Sequence, residues 1–307
     1  MGHKAMHGTA MVKHVDERPM VNPVNSVTLE RRLKSRIAMQ FSRAATRYDN
    51  AAQVQIDIAD DAVVLFTEHT KNDLTKLPRR VLDIGCGTGR VTRQLAETGV
   101  NKAQNILAMD LAFGMLQHAE QAWEQPISGQ SAPQLSTICW LQGDAEHIPL
   151  GDNTLEGVFS SMALQWCKDR TQVCHEINRV LVSGARGVLA IMCAGSMHEL
   201  DTCWQHIDHT RQINHFASAH DWASSAEKVG LQVKMQQKNY VTWHADVRTL
   251  LGSMKQIGAN VVTGNGQKKT ISRPTLHTLE QYYQEQFGSH QGLPLTYSVC
   301  FLQITKP

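Results

Sequence analysis

Apolar positions change period along the chain, and the change predicts its elements. From residue 33 to about 66 they recur at helical spacing, with Ile56, Ala59, Val63 and Phe66 on one stripe. Downstream, short apolar runs alternate with amphipathic stretches. Residues 79–86 (RRVLDIGC), 105–110 (NILAMD), 136–145 (STICWLQGDA) and 154–162 (TLEGVFSSM) predict buried strands, as do 187–193 (GVLAIMC). Between them, 89–98, 112–123 and 169–181 predict helices, the last with Val173, Ile177 and Val180 on one face. Such alternation implies a doubly wound α/β fold with helices on both faces of a mostly parallel sheet. Ligands in that architecture bind beyond the carboxyl ends of the strands, near the topological switch point. After Cys193 the pattern predicts helices around 198–208, 218–230, 246–258 and 275–287, strand character at 233–243, and a closing strand at 295–306.

Residues 1–30 lack periodicity and are expected to form an extension without fixed structure; 31–307 are expected to form one domain. Within it, 31–75 read as N-terminal lid helices, 79–193 as the ligand-binding core and 194–307 as substrate-side helices and final strands. Two stretches rich in Gly, Ser, Pro and polar residues, 124–136 and 263–274, read as inserted loops.

The chain has 307 residues, a hydrophobic fraction of 42% and a net charge of only +2, which gives no overall commitment to nucleic acid or membrane. No apolar run approaches the roughly 20 residues needed to span a bilayer. The seven cysteines are odd in number and form no C-x-x-C pair, so reduced thiols and a cytoplasmic location are expected. His206 and His209 sit three apart on a predicted helix without an acidic or Cys partner at metal-ligand spacing, so no metal is expected. Nothing signals an oligomer; a monomer is the default.

The strongest chemical signal is Val81-Leu82-Asp83-Ile84-Gly85-Cys86-Gly87-Thr88-Gly89. A strand delivers a carboxylate into a glycine turn that permits close backbone approach to a ligand. A dinucleotide needs G-x-G-x-x-G and a pyrophosphate site, whereas here the spacing is G-x-G-x-G and Asp83 would repel pyrophosphate. Asp83 suits a cation instead, such as the amino group of S-adenosylmethionine (SAM). Asp110 ends the next strand, where an acid accepts hydrogen bonds from ribose hydroxyls. Gly143-Asp144-Ala145-Glu146 ends the third, where a carboxylate and a backbone N–H together suit an adenine edge. Either Asp83 or Asp110 could instead be a helix N-cap.

Together these elements resemble the class I SAM-dependent methyltransferases over about 80–193. That resemblance implies a seven-stranded Rossmann-like sheet with its last strand antiparallel, an N-terminal helical lid and a helical insertion after strand 5. It also implies SAM-binding roles for Tyr48, Asp83, Gly85, Cys86, Gly87, Gly89, Asp110, Leu111, Met115, Asp144, Ala145, Glu146 and Ser161. A narrower set of patches is similar to the malonyl-[acyl-carrier protein] O-methyltransferases of biotin synthesis. They are Phe41-Ser42-Arg43 through Tyr48-Asp49, Gln165-Trp166-Cys167, Gly195-Ser196, Glu199-Leu200, Asn214, Phe216, Lys255-Gln256-Ile257-Gly258-Ala259 and Pro294-Leu295-Thr296-Tyr297. The first 30 residues and the two inserted loops depart from that family.

The resemblance implies that the acceptor is the free carboxylate of a malonyl thioester on acyl-carrier protein, and that its methyl ester primes pimeloyl synthesis for biotin. A malonyl carboxylate is ionised at neutral pH and needs no general base. The enzyme's task is to align the carboxylate oxygen with the methyl group and exclude water. No Ser-His-Asp or Cys-His constellation stands out, and Cys167 is not expected to be a nucleophile. A buried carboxylate needs a partner, for which Arg43, Lys255, Arg211, Gln165, Trp166 and Tyr297 are the candidates. Arg43 and Lys255 read equally well as solvated helix charges, and Trp166 as core. Because the carrier is acidic, Arg31, Arg32, Lys34, Arg36 and Arg43 are candidates for its recognition. The alternatives are a methyltransferase of another small acid or a quinone precursor, a SAM-binding regulator without turnover, and, failing on the glycine spacing, an NAD oxidoreductase.

Overall fold

A computed structural model of the chain describes residues 23–71, 78–97, 105–124, 137–208, 213–256 and 272–307. Helices α1 (Pro23–Ala51) and α2 (Gln53–Lys71) break only at Ala52. Helix α1 starts at Pro23, so the extension expected through residue 30 is shorter than read. Val24, Val27 and Leu29, the apolar positions before Leu33, fall on no single helical stripe, which hid the helix. Residues 1–22 lie outside the described residues.

The alternating core follows the predicted order. β1 (Arg80–Ile84), α3 (Arg90–Glu97), β2 (Asn105–Asp110), α4 (Phe113–Glu124), β3 (Thr137–Gln142) and β4 (Leu155–Ser161) lead to α5 (Arg170–Val180) and β5 (Leu181–Met192). Then come α6 (His198–Asp208), α7 (Ala219–Lys228), β6 (Gln232–His244), α8 (Val247–Gln256), α9 (Arg273–Phe287) and β7 (Leu293–Thr305). The seven strands form one sheet in the order β3-β2-β1-β4-β5-β7-β6. β1 to β5 pair in parallel, and β7 lies antiparallel between β5 and β6. This is the predicted Rossmann-like arrangement. β5 begins six residues before its predicted start, because Leu181 pairs with Leu155 of β4 ahead of a register shift and Arg186 pairs with both Gly157 of β4 and Thr305 of β7.

Strand residues partition between two cores. On β5, Val188, Ala190 and Met192 pack with α2, α6, α8 and α9, while Leu189, Ile191 and, just past the strand, Cys193 pack with α5 and α7. Burial on both faces is why these strands read as continuous apolar runs. α1 is held at the carboxyl end of the sheet by α4: Gly114 N–H donates to Ser42 Oγ at 3.1 Å, and a Cβ on Gly114 would meet Ser42 Cβ at 2.8 Å. Among the described residues no helix is long and apolar enough to cross a membrane, and no group of three or more His, Cys, Asp or Glu side chains could hold a metal. His206 stacks on Tyr282 with ring centroids 3.9 Å apart; His209 lies outside the described residues. So do 125–136 and 263–271, most of the two inserted loops, whereas 272–274 cap and open α9.

Candidate active site

The order of strands reverses between β1 and β4, and the glycine loop sits at that switch point. Gly85 and Cys86 N–H both donate to Met109 O, at 2.7 and 3.0 Å, closing the turn. Gly85 has φ +73°, and a Cβ there would lie 2.1 Å from Ala163 Cβ. Gly89, also at positive φ, packs beneath Trp140, whose ring would be 2.9 Å from an added Cβ. Gly87 faces open space.

Two contiguous cavities of about 120 and 70 Å³ run along this edge and share Tyr48, Gly85, Gly87, Ser161 and Met162. The larger is lined by Asp110, Leu111, Met115, Asp144, Ala145 and Trp166, the smaller by Asp83, Cys86, Asp49, Gln55 and Thr88. The three predicted acids thus lie along one trough. Glu146 and Gly89 line neither cavity. Glu146 is 2% exposed and turned toward α5, where its carboxylate accepts from Lys168 and Asp169 N–H at 2.6 and 2.7 Å. It holds the entry to that helix, and Gly89 makes room for Trp140.

The acids differ in how far they are satisfied. Asp110 Oδ2 accepts from Gly87 N–H at 3.0 Å and Oδ1 from Ala112 N–H at 2.7 Å, which leaves lone pairs for further donors. Asp83 is 1% exposed and, among the described residues, accepts only from Thr92 Oγ1 at 2.6 Å. Burial pushes its carboxyl up to about 7, the Asp110 charge adding to the rise and the Thr92 hydroxyl opposing it. An ammonium group beside Asp83 would relieve that penalty. Gln55 Oε1 and Ser161 Oγ are buried without a hydrogen-bond partner among the described residues, and both residues line the smaller cavity. The trough thus offers an acceptor for a cation, an acceptor for hydroxyls and two unsatisfied polar atoms.

Helix α1 forms the roof. Phe41 meets Trp166 edge-on at 5.5 Å and Tyr48 at 6.4 Å. Burial, then Asp110, Asp49 and Tyr297, raise the Tyr48 phenol above its ordinary range, so it remains a donor. Thr88 Oγ1 donates to Asp49 at 2.7 Å, and Arg90 grips Asp60 of α2 through two contacts at 3.0 and 3.2 Å. Lys34 reaches down from α1, donating to Asp144 at 2.6 Å and to Glu146. Burial opposes its charge, but hydrogen bonds to those two acids raise its pKa above the ordinary lysine value. Lys34→Met leaves the buried Glu146 and the partly buried Asp144 carboxylates short of a cation, and urea denaturation should show a loss of about 2–3 kcal/mol, between the exposed and fully buried cases.

The basic candidates for an anionic substrate are not brought to the trough. Arg43 is exposed on the outward side of α1, opposite Ile37, Phe41 and Tyr48. Lys255 is exposed on the last turn of α8. Both therefore take their solvated reading, and Arg211 lies outside the described residues. Of the uncharged candidates only Trp166 reaches the trough among the described residues. Trp166 lines the larger cavity. Gln165 Nε2 donates to Met162 O at 2.6 Å, while its Oε1 is buried without a partner. Tyr297 is 3% exposed and lines neither cavity; burial pushes its phenol up to about 12. Met162, where the cavities join, has φ +55°, a strained backbone of the kind that gathers at functional sites. Burial, then Glu146 and Asp144, push the Cys167 thiol well above its ordinary pKa, so it is no thiolate.

A family model described as a methyltransferase domain matches residues 82–189, from the glycine loop through β5. A malonyl-[acyl-carrier protein] O-methyltransferase of Alcanivorax borkumensis is 32% identical over 292 residues, covering 94% of this chain and 91% of that protein. The chain belongs to the malonyl-[acyl-carrier protein] O-methyltransferase family. A relative of the same name in Herminiimonas arsenicoxydans is 33% identical and covers 89% of this chain and 96% of its own. The biotin biosynthesis bifunctional protein BioHC of Teredinibacter turnerae is 31% identical over 89% of this chain but only 47% of its own length, so this chain spans about half of that relative. Among solved structures, the YcgJ protein of Bacillus subtilis superposes with TM-score 0.52 at 16% identity, over 76% of this chain and 94% of that one, which supports the fold.

Proposed function

We propose that this chain transfers the methyl group of SAM to the free carboxylate of a malonyl thioester on acyl-carrier protein, giving the methyl ester that primes pimeloyl synthesis for biotin. Residues 31–307 act as one domain, with α1 and α2 as its lid. The observation that carries the reading is the trough itself, in a chain that aligns with this family over nearly its whole length.

The residues present fit SAM. Asp83 would take its ammonium, with Gln55 Oε1 and Ser161 Oγ available to the methionine end. Asp110 would take the ribose hydroxyls, and Asp144 with the neighbouring backbone the adenine, between Leu111, Met115 and Ala145. When bound, SAM supplies a methyl group on a sulfonium that becomes a neutral thioether. A carboxylate oxygen lone pair forms the new O–CH3 bond as the C–S bond breaks with its electrons to sulfur. No proton moves, so the chain needs no base.

Charge is neutralised as the bond forms, and this decides what should hold the malonyl group. A guanidinium would bind the full anion of the ground state more strongly than the charge-depleted transition state, and so would raise the barrier. Neutral donors that orient the oxygen avoid that cost. Tyr48, which lines both cavities and is held protonated, supplies one such donor, while Phe41 and Trp166 exclude water. Intact-mass analysis tests the acceptor. Malonyl-carrier should gain one methyl group and acetyl-carrier none; methylation of a free small acid in preference to the malonyl carrier would favour the other-acid reading.

A further inference from the structure

We infer that the outward face of α1 is the surface on which the acidic carrier docks, through Arg32, Arg36, Arg43 and Arg47. The inference rests on the carrier being the vehicle of the substrate and says where this chain grips it.

The four arginines lie at i, i+4, i+11 and i+15, which places them on one side of the helix as a stripe about 22 Å long. All four are exposed, with Met39, 48% exposed, in the middle of the row. The opposite side of α1 carries Ile37, Phe41 and Tyr48 toward the trough, so one helix separates the stripe from the site. Among the described residues none of the four has a carboxylate partner. The acids of α1, Glu30 and Asp49, are engaged by Lys34 and Lys168 and by Thr88. Like charges at i, i+4 without intervening acids weaken a helix, so the pattern does nothing for the fold. A chain with a net charge of only +2 has concentrated cations where no internal partner meets them.

An extended row of guanidiniums with one thioether at its centre suits an acidic helix with an apolar position among its carboxylates, since each guanidinium can engage a carboxylate through two hydrogen bonds. The adjoining α8 extends the field. Its exposed Arg248 and Lys255 are seven apart on one side, and α8 itself contains no acid. Lys34, grouped with these arginines on sequence grounds, is excluded because it is committed to Asp144 and Glu146.

Fluorescence anisotropy of labelled holo-carrier tests the surface without turnover. The Arg32→Glu/Arg36→Glu/Arg43→Glu variant should bind at least about tenfold more weakly than the parent and lose the parent's salt dependence. Its affinity for S-adenosylhomocysteine and its kcat/KM for malonyl-N-acetylcysteamine, which has no carrier, should be unchanged. The corresponding triple lysine variant should recover most of the binding. Equal carrier binding by parent and glutamate variant would overturn the inference, as would a parallel loss of S-adenosylhomocysteine affinity. A parent that binds the carrier through the stripe yet methylates no malonyl group would support the docking surface and sink the proposed reaction.

Discussion

Asp83→Asn should weaken S-adenosylhomocysteine binding by at least about 100-fold, the order expected when one partner of a buried charge pair is lost. The same change should leave the ligand-free protein as stable as the parent at pH 8, or more so. The asymmetry follows from Asp83 being buried with, among the described residues, only Thr92 to satisfy it. Its folded-state pKa is raised to about 7, against about 3.9 unfolded. A group shifted upward binds protons more tightly in the folded chain. Stability of the ligand-free protein is therefore greatest below about pH 4 as far as this group is concerned, and is lost as pH rises through 7, by up to about 4 kcal/mol. Ligand affinity runs the other way, because an ammonium needs the ionised carboxylate. It should rise with pH up to about 7 and level off above, and Asp83→Asn should flatten the profile. Calorimetry from pH 5.5 to 8.5 reads both, and a parent profile flat across 7 would contradict the role given to Asp83.

Gly85→Ala should remove measurable cofactor binding and lower stability by about 2–4 kcal/mol in urea denaturation. Two costs coincide at this position. Alanine at φ +73° is strained, and its Cβ would fall 2.1 Å from Ala163 Cβ, an atom fixed to the backbone that cannot rotate away. Relief requires the loop to lift or the turn after β4 to move. That turn, Leu164–Trp166, carries Gln165 and Trp166, so the damage reaches both ends of the trough. Gly87→Ala, which meets no atom within 4 Å, separates the effect of positive φ from the clash and should cost less.

The sheet was legible because each buried strand is a short apolar run bounded by turn residues, and β2 was read to the residue. The carboxylates and glycines of the trough were legible because strand ends place them there by register. Other features depend on what side chains meet across long separations. Glu146 read as a cofactor residue from its neighbours, yet its backbone donors come from 168 and 169, on the far side of β4. Gln55 gave no signal, since its meaning lies in an unsatisfied oxygen facing the trough. Arg43 sits in a family-like patch, but helical phase turns it outward. Lys34 did leave a clue. It falls at the helical spacing of Ile37, Phe41 and Tyr48, and a lysine in an apolar stripe must find a carboxylate partner inside.

The reaction is tested most directly by incubating the purified chain with methyl-labelled SAM and malonyl-acyl-carrier protein, beside acetyl-carrier and free malonate. Label on the malonyl carrier alone, released by mild base as methanol, is the expected result: a methyl ester formed on the distal carboxylate. Absence of label from the malonyl carrier, in a preparation that binds S-adenosylhomocysteine, would contradict the proposed reaction.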